Sequence, residues 1–247
     1  MLRPERKMSR SEVLKNMRSL SGLLNEWGFV KNPNSLYKIS VEQIGNKISY
    51  TISDSEPLIF YNIDIEKHTI PHGLDKLSDS DIDIRLKLTS VFGELISEKN
   101  LDPIQKLGVN IVVDATYLVE GKYEDVTCCW HLDRHNFNDS EFTHPTYHMT
   151  FGGSNMKKYA GKLGKLLLMP APRIMYPPME LILSCDFIIR NFYSKEKRES
   201  IIEKPGYIEL VEKAKIKYWK PYGCAFVSEW VDSMEIENLT HGMLIGA

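Results

Sequence analysis

LGVNIVVDATYLVEGKYEDVTCCWHLDRH, residues 107 to 135, decides the fold. Two runs rich in β-branched and aromatic residues flank a turn near Gly121, the signature of a hairpin of long strands. Alternation assigns the faces. In the second run Thr127, Cys129, His131, Asp133 and His135 share one side, and Val126, Cys128, Trp130 and Leu132 share the other. One polar and one apolar side mark an antiparallel sheet with a single face against a core.

The next stretch, HPTYHMTFGG (144 to 153), continues as a third strand. His144, Thr146, His148 and Thr150 fall on its polar side, and Tyr147, Met149 and Phe151 on the other. If the intervening loop sets His135 opposite His144, the same register sets Asp133 opposite Thr146 and His131 opposite His148. Directly opposed side chains have Cβ atoms about 4.5–5.5 Å apart, so imidazoles and a carboxylate would share one patch. A slip of one residue would turn one set of histidines to the other face.

Outward from this centre the period changes. Val13, Met17, Leu20, Leu24 and Trp27 recur at helical spacing, with Ser9 and Glu12 as a capping box and Gly28 as the stop, which predicts a helix over 9–28. LYKISVEQIGNKISYTI (36 to 52) predicts two strands around a Gly45-Asn46 turn, and EPLIFYNIDI (56 to 65) a third. In DIDIRLKLTSVFGELISEKN (81 to 100), Leu88, Val91, Phe92, Leu95 and Ile96 have helical spacing. The prolines of PAPRIMYPP (170 to 178) argue against a regular element there. PMELILSCDFIIRNFY (178 to 193), apolar nearly all round, predicts a buried helix. A last helix starts at Pro205 and is expected to end at Pro221. The expected fold is α+β, a mainly antiparallel sheet packed against several α-helices. It forms a single domain over 1–247, with an N-terminal helix at about 9–28 and a helical region at about 178–220.

Composition narrows the function classes. The chain has 247 residues, is 43% hydrophobic and has a formal net charge of −2, so its overall charge does not draw it to polyanions. MLRPERKMSR lacks an apolar segment behind it and no run approaches ~20 apolar residues, so neither a secretory signal nor a membrane span is expected. A cytoplasmic protein follows. Cys128, Cys129, Cys185 and Cys224 lack the spacing of a disulfide framework and are read as reduced thiols.

The chemistry concentrates in the histidine face. Imidazole and carboxylate are ligands for a divalent transition metal, which makes His131, Asp133 and His148 candidate metal ligands. Without a metal, the catalytic candidates are His131, Asp133, His144 and His148, because two imidazoles in reach of each other can serve as general base and general acid in phosphodiester cleavage. A solvated sheet face is the third reading. Arg173, fixed among prolines, is preorganised to grip a phosphate or carboxylate. Lys157 and Lys158, after Gly152-Gly153, add charge that attracts phosphate, so nucleic acid is a candidate partner.

Two weaker patterns stand beside these. Asp114, Glu120 and Lys122 resemble the D…ExK of metal-dependent nucleases, but only six residues separate Asp114 from Glu120, and a charged hairpin turn accounts for them. His148-Met149-Thr150 has the H-x-T form of two-histidine phosphoesterases. Neither His68 nor His241 supplies its second copy.

The string from Trp130-x-Leu132-Asp133 through HPTYHMTFGG, PAPRIMYPP and the RNFY helix end resembles an uncharacterised bacterial family, domain of unknown function 2290, over roughly residues 110–195. The resemblance implies that Asp133, His144, Pro145, His148, Arg173, Phe192 and Tyr193 belong to a shared core. Genes of this kind are often found among mobile elements and defence loci. The expectation is therefore a component of an anti-phage defence or toxin system, acting as a nuclease or phosphodiesterase. The alternative is a non-catalytic subunit or sensor that docks on a partner protein of a multi-gene defence complex, with aromatics around Tyr218, Trp219, Tyr222 and Trp230 as the contact surface.

Overall fold

A computed structural model describes residues 9–63, 82–95, 102–119, 122–135, 145–152, 156 and 173–228. In chain order these form α1 (Arg10–Glu26), α2 (Ser35–Lys38), β1 (Val41–Ile44), β2 (Lys47–Ile52), β3 (Leu58–Phe60), β4 (Ile82–Leu95), β5 (Ile104–Val119), β6 (Lys122–Arg134), β7 (Tyr147–Phe151), β8 (Ile174–Met175), α3 (Leu181–Phe192), α4 (Lys195–Ile202), α5 (Pro205–Ala214), a π-helical turn (Lys215–Trp219) and α6 (Lys220–Ser228). All eight strands join one antiparallel sheet in the order β1-β2-β4-β5-β6-β7-β8, with β3 also paired to β4. The fold is α+β, as its sequence predicts.

The long β5–β6 hairpin is the spine of the sheet, paired without interruption from Gly108↔Asp133 to Val119↔Lys122. Its apolar face supplies Val109, Ile111, Val113 and Leu132 to the core, and Tyr147 adds to it from β7. Onto that face packs α3, buried along Leu181, Ile182, Leu183, Cys185, Ile188, Ile189 and Phe192. The ring of Phe192 meets Trp130 edge-on at 5.5 Å. Each fully buried aliphatic side chain contributes about 1.5–3 kcal/mol, so this contact accounts for much of the seating of α3.

The first helix follows its sequence signals. Ser9 caps it by accepting from the Glu12 amide, Val13, Met17, Leu20 and Leu24 are buried, and Gly28 sits at φ 65° just beyond the end. Gly45 at φ 57° turns the β1–β2 hairpin.

Three expectations are corrected. Residues 82–95 are a strand, not a helix: Leu86, Leu88 and Phe92 point into the core with Ser90 and Glu94 beside them. Those two buried polar residues interrupt the apolar alternation and leave a false helical spacing. Pro221 does not end the last helix, which continues as α6. A proline ring collides with the carbonyl four residues back, and the wider π-helical turn immediately before it gives that ring room. PAPRIMYPP does hold a regular element, the two-residue strand β8 paired to β7. Glu120, Gly121 and Ile96 lie outside the described residues, as do His68 and His241.

Candidate functional site

The face of the sheet opposite the helices carries the polar residues. On β6 it presents Thr127, Cys129, His131 and Asp133, on β7 His148 and Thr150, on β5 Asn110 and Asp114, and on β4 Lys87 and Thr89. The expected sidedness of β6 and β7 is therefore found. Their register differs by two residues from the expected one: Asp133 pairs with His148 and His131 with Thr150. The amide of His135 donates to the carbonyl of Thr146 at 2.8 Å, which continues the same register. A shift of two preserves the faces but changes the partners, so Asp133, not His131, is the neighbour of His148.

That register builds a centre around one carboxylate. Asp133 Oδ2 lies 3.0 Å from His131 Nε2, and Asp133 Oδ1 lies 2.9 Å from His148 Nε2. Both imidazoles are held from behind. His131 Nδ1 is 2.7 Å from Asn110 Oδ1, whose own amide nitrogen donates to Thr89 Oγ1 at 3.3 Å. His148 Nδ1 is 3.2 Å from the carbonyl of Pro145, an acceptor only, so that nitrogen carries a proton. A string of polar contacts thus runs across four strands, from Thr89 on β4 to the start of β7.

Access is uneven along this string. The His148 side chain is 3% exposed, whereas His131 and Asp133 each keep 32%. Burial pushes the His148 imidazole below its usual value; the Asp133 carboxylate and the Pro145 carbonyl oppose this, and the charges of Arg173 and His131 add to it. Arg173 directly precedes β8, whose Met175 pairs with His148. Its guanidinium makes no hydrogen bond or ion pair with a described residue. His144, Lys157 and Lys158 lie outside the described residues.

Two carboxylate oxygens each facing a different imidazole do not converge on one point. Among the described residues no group of three His, Cys, Asp or Glu side chains is placed to hold a metal ion. Asp114 is engaged elsewhere, by Lys87 Nζ at 2.6 Å and by the Thr127 hydroxyl at 2.8 Å. Its partner across the hairpin is Thr127, whereas Lys122 pairs five rungs away at Val119. At about 3.3 Å per residue these two side chains are far apart.

Asn110 and Thr89 are the members of the centre that sequence reasoning missed. One signal was present: Asn110 interrupts a β-branched run at a position that alternation places on the histidine face. Desolvation pushes the half-buried Cys128 thiol up to about 12, with Cys129 and Asp114 adding to it, which makes it unreactive. Buried Cys129 and Cys185 are also free thiols, as is exposed Cys224.

A second feature lies on the helical side of the same edge. A cavity of about 280 Å³ opens between β7, β8 and α6, lined by Pro145, Tyr147, Met175, Pro178, Tyr222 and Phe226 among others. Phe226 and Met175 are exposed at it. Tyr218, expected at the surface, is instead buried and donates to Glu94 at 2.9 Å, and Trp219 Nε1 donates to the Pro178 carbonyl. Trp230 lies outside the described residues. No helix among the described residues is long and apolar enough to cross a membrane.

Comparison of the chain with protein-family models, with curated proteins and with solved structures finds no match.

Proposed function

We propose that the polar sheet face hydrolyses a phosphodiester, in RNA or DNA, within a bacterial anti-phage defence or toxin system. The carrying observation is the Asp133 carboxylate set between two imidazole nitrogens at 3.0 and 2.9 Å, with the partly exposed side chains at one end and the buried one behind. The partly exposed Asp133 carboxylate takes a proton from the attacking water and returns it to the leaving oxygen. His131, 3.0 Å away through Nε2, donates to that carboxylate and orients it. His148, too buried to touch a substrate, stands behind the far oxygen of that carboxylate at 2.9 Å. Arg173 offers its guanidinium to a non-bridging phosphoryl oxygen, where negative charge grows in the transition state.

The test is cleavage of bis-p-nitrophenyl phosphate, single-stranded RNA and single-stranded DNA by purified protein. Asp133→Asn and His131→Gln should each lower turnover by about 10²-fold or more at unchanged circular dichroism, the range of a general acid–base contribution. A chelator should leave the rate unchanged, given the divergent donors. A well-folded wild type that cleaves none of the three substrates would falsify the proposal.

A second reading rests on the exposed apolar cavity: the chain is a non-catalytic subunit that docks a partner protein of a defence complex there. In that case Phe226→Asp abolishes biological activity in cells, whereas His131→Gln retains it.

A further inference from the structure

We infer that Lys31, Lys197 and Lys204, gathered around Trp27 and Tyr61, form a strip that binds the phosphate backbone of a single-stranded nucleic acid. The three ammonium groups come from three places in the chain: the bridge segment after α1, the first turn of α4 and the residue preceding α5. Lys197 Nζ donates to the Trp27 carbonyl at 3.0 Å and stands 4.9 Å from the centre of the Phe29 ring. Lys204 Nζ lies 4.2 Å over the Trp27 ring, and Lys31 Nζ 5.6 Å over that of Tyr61. Gly28 joins the two halves of the cluster: a Cβ there would lie 3.9 Å from Lys197 Nζ and 3.8 Å from Tyr61 Oη.

None of these three lysines forms an ion pair with a described residue, although Lys197 and Lys204 are half-buried. Lys195, Lys213, Lys215 and Lys217, in the same helical region, each face a carboxylate at 3.7 Å or less. An aromatic face holds an ammonium in place without cancelling its charge, so three positive charges stay uncompensated in a chain of net charge −2. Ammonium groups interleaved with aromatic rings are what a single strand requires, the charges for its phosphates and the rings for its unpaired bases. The strip also adjoins the polar face of the sheet. Val30 bridges Phe60 on the core side, which turns Lys31 to the other face, in a row that continues through Ile59, Lys87, Val112 and Cys129. Four strand spacings put Lys31 about 19 Å from Cys129, the neighbour of His131 on that face, a distance that an oligonucleotide spans and a mononucleotide does not. Binding here does not depend on cleavage at the histidine centre.

Fluorescence anisotropy of an end-labelled oligothymidylate, about 20 nucleotides long, reads binding without any assay of activity. Wild type should bind it, with log affinity falling against log salt at a slope of about −2, the value for three phosphates on a single strand. Lys197→Gln, Lys204→Gln and Lys31→Gln should each weaken binding about threefold or more and flatten the slope by about 0.7. Lys31 is exposed, so its variant should fold as wild type does. Lys213→Gln removes the same charge from a lysine already paired to Glu209 and should leave affinity and slope unchanged. No binding by wild type at about 50 mM salt, or equal losses in Lys31→Gln and Lys213→Gln, overturns the strip. Polyglutamate competing as well as unlabelled oligothymidylate overturns it too. Binding with the expected losses in a protein that cleaves nothing supports the strip and removes only the hydrolysis reading, whereas cleavage of bis-p-nitrophenyl phosphate without oligonucleotide binding overturns the strip and leaves that reading standing.

Discussion

At the scale of single residues, His148 is the most constrained member of the centre. Its ring is almost fully buried, one nitrogen is tied to the Pro145 carbonyl and the other lies beside Asp133. Burial lowers its affinity for protons in the folded state relative to an unfolded histidine near 6.5. The unfolded chain therefore takes up the proton first as the solution is acidified. The contribution of His148 to stability is complete above about pH 6.5 and is lost as pH falls through the lower folded value. Unfolding midpoints measured from pH 7.5 to 5 should drop more steeply for wild type than for His148→Gln, which has no proton to gain. Parallel curves for the two proteins would show that the imidazole is not held neutral. The residues of this centre were legible in the sequence as a face, because side chains alternate and four histidines cluster within 18 positions. Their partners were not. A two-residue shift leaves every side chain on the same face, so the alternation that fixed sidedness carried no information about whether His131 or Asp133 meets His148.

At the scale of elements, capping and turn chemistry were read correctly where the signal is local. The Ser9 cap, the Gly28 stop and the Gly45-Asn46 turn each depend on two or three adjacent residues. Gly28 gives a direct test. At φ 65° a side chain is strained, yet an added Cβ would meet only Tyr61 Oη at 3.8 Å and Lys197 Nζ at 3.9 Å, ordinary contact distances. Gly28→Ala should accordingly cost about 1–2 kcal/mol from backbone strain alone, measured by urea unfolding at an unchanged m-value. A cost well above that range would mean that the close contacts, not the backbone angle, dominate. Where elements depend on distant partners the sequence misled. In β4 the buried Ser90 and Glu94 replace apolar residues on the core side, and Val91 places an apolar residue on the other, so the true period of two was masked. Pro221 reads as a helix stop unless the preceding π-helical turn is known, and that turn is held by Lys217 and Tyr218 reaching Glu94 on another element.

At the scale of the whole molecule, Glu94 belongs to a buried polar cluster that joins the sheet to the helices. Lys217 Nζ lies 2.6 Å from its Oε1, and the Tyr218 hydroxyl donates to its Oε2. Beside it Glu180 caps α3, accepting from the amides of Ile182 and Leu183, while the Tyr50 hydroxyl of β2 accepts from the amide of Leu181. Two carboxylates and one ammonium leave an excess negative charge when both acids are ionised. Burial pushes the Glu180 carboxyl up to about 7; the two amides and Lys217 pull it down and Glu94 pushes it further up. The folded protein thus binds this proton more tightly than the unfolded chain, whose glutamates titrate near 4.3. The stabilisation is complete below about pH 4.3 and declines as pH rises through about 7, by something on the order of 3 kcal/mol. Glutamine reproduces the neutral acid and keeps an oxygen to cap the helix, so Glu180→Gln should lack this decline. Between pH 5 and pH 8, urea unfolding of wild type should lose about 2–3 kcal/mol relative to the variant, and the two should converge only as pH falls towards about 4. An unchanged difference across that range would mean that water or a rearranged Lys217 neutralises the pair.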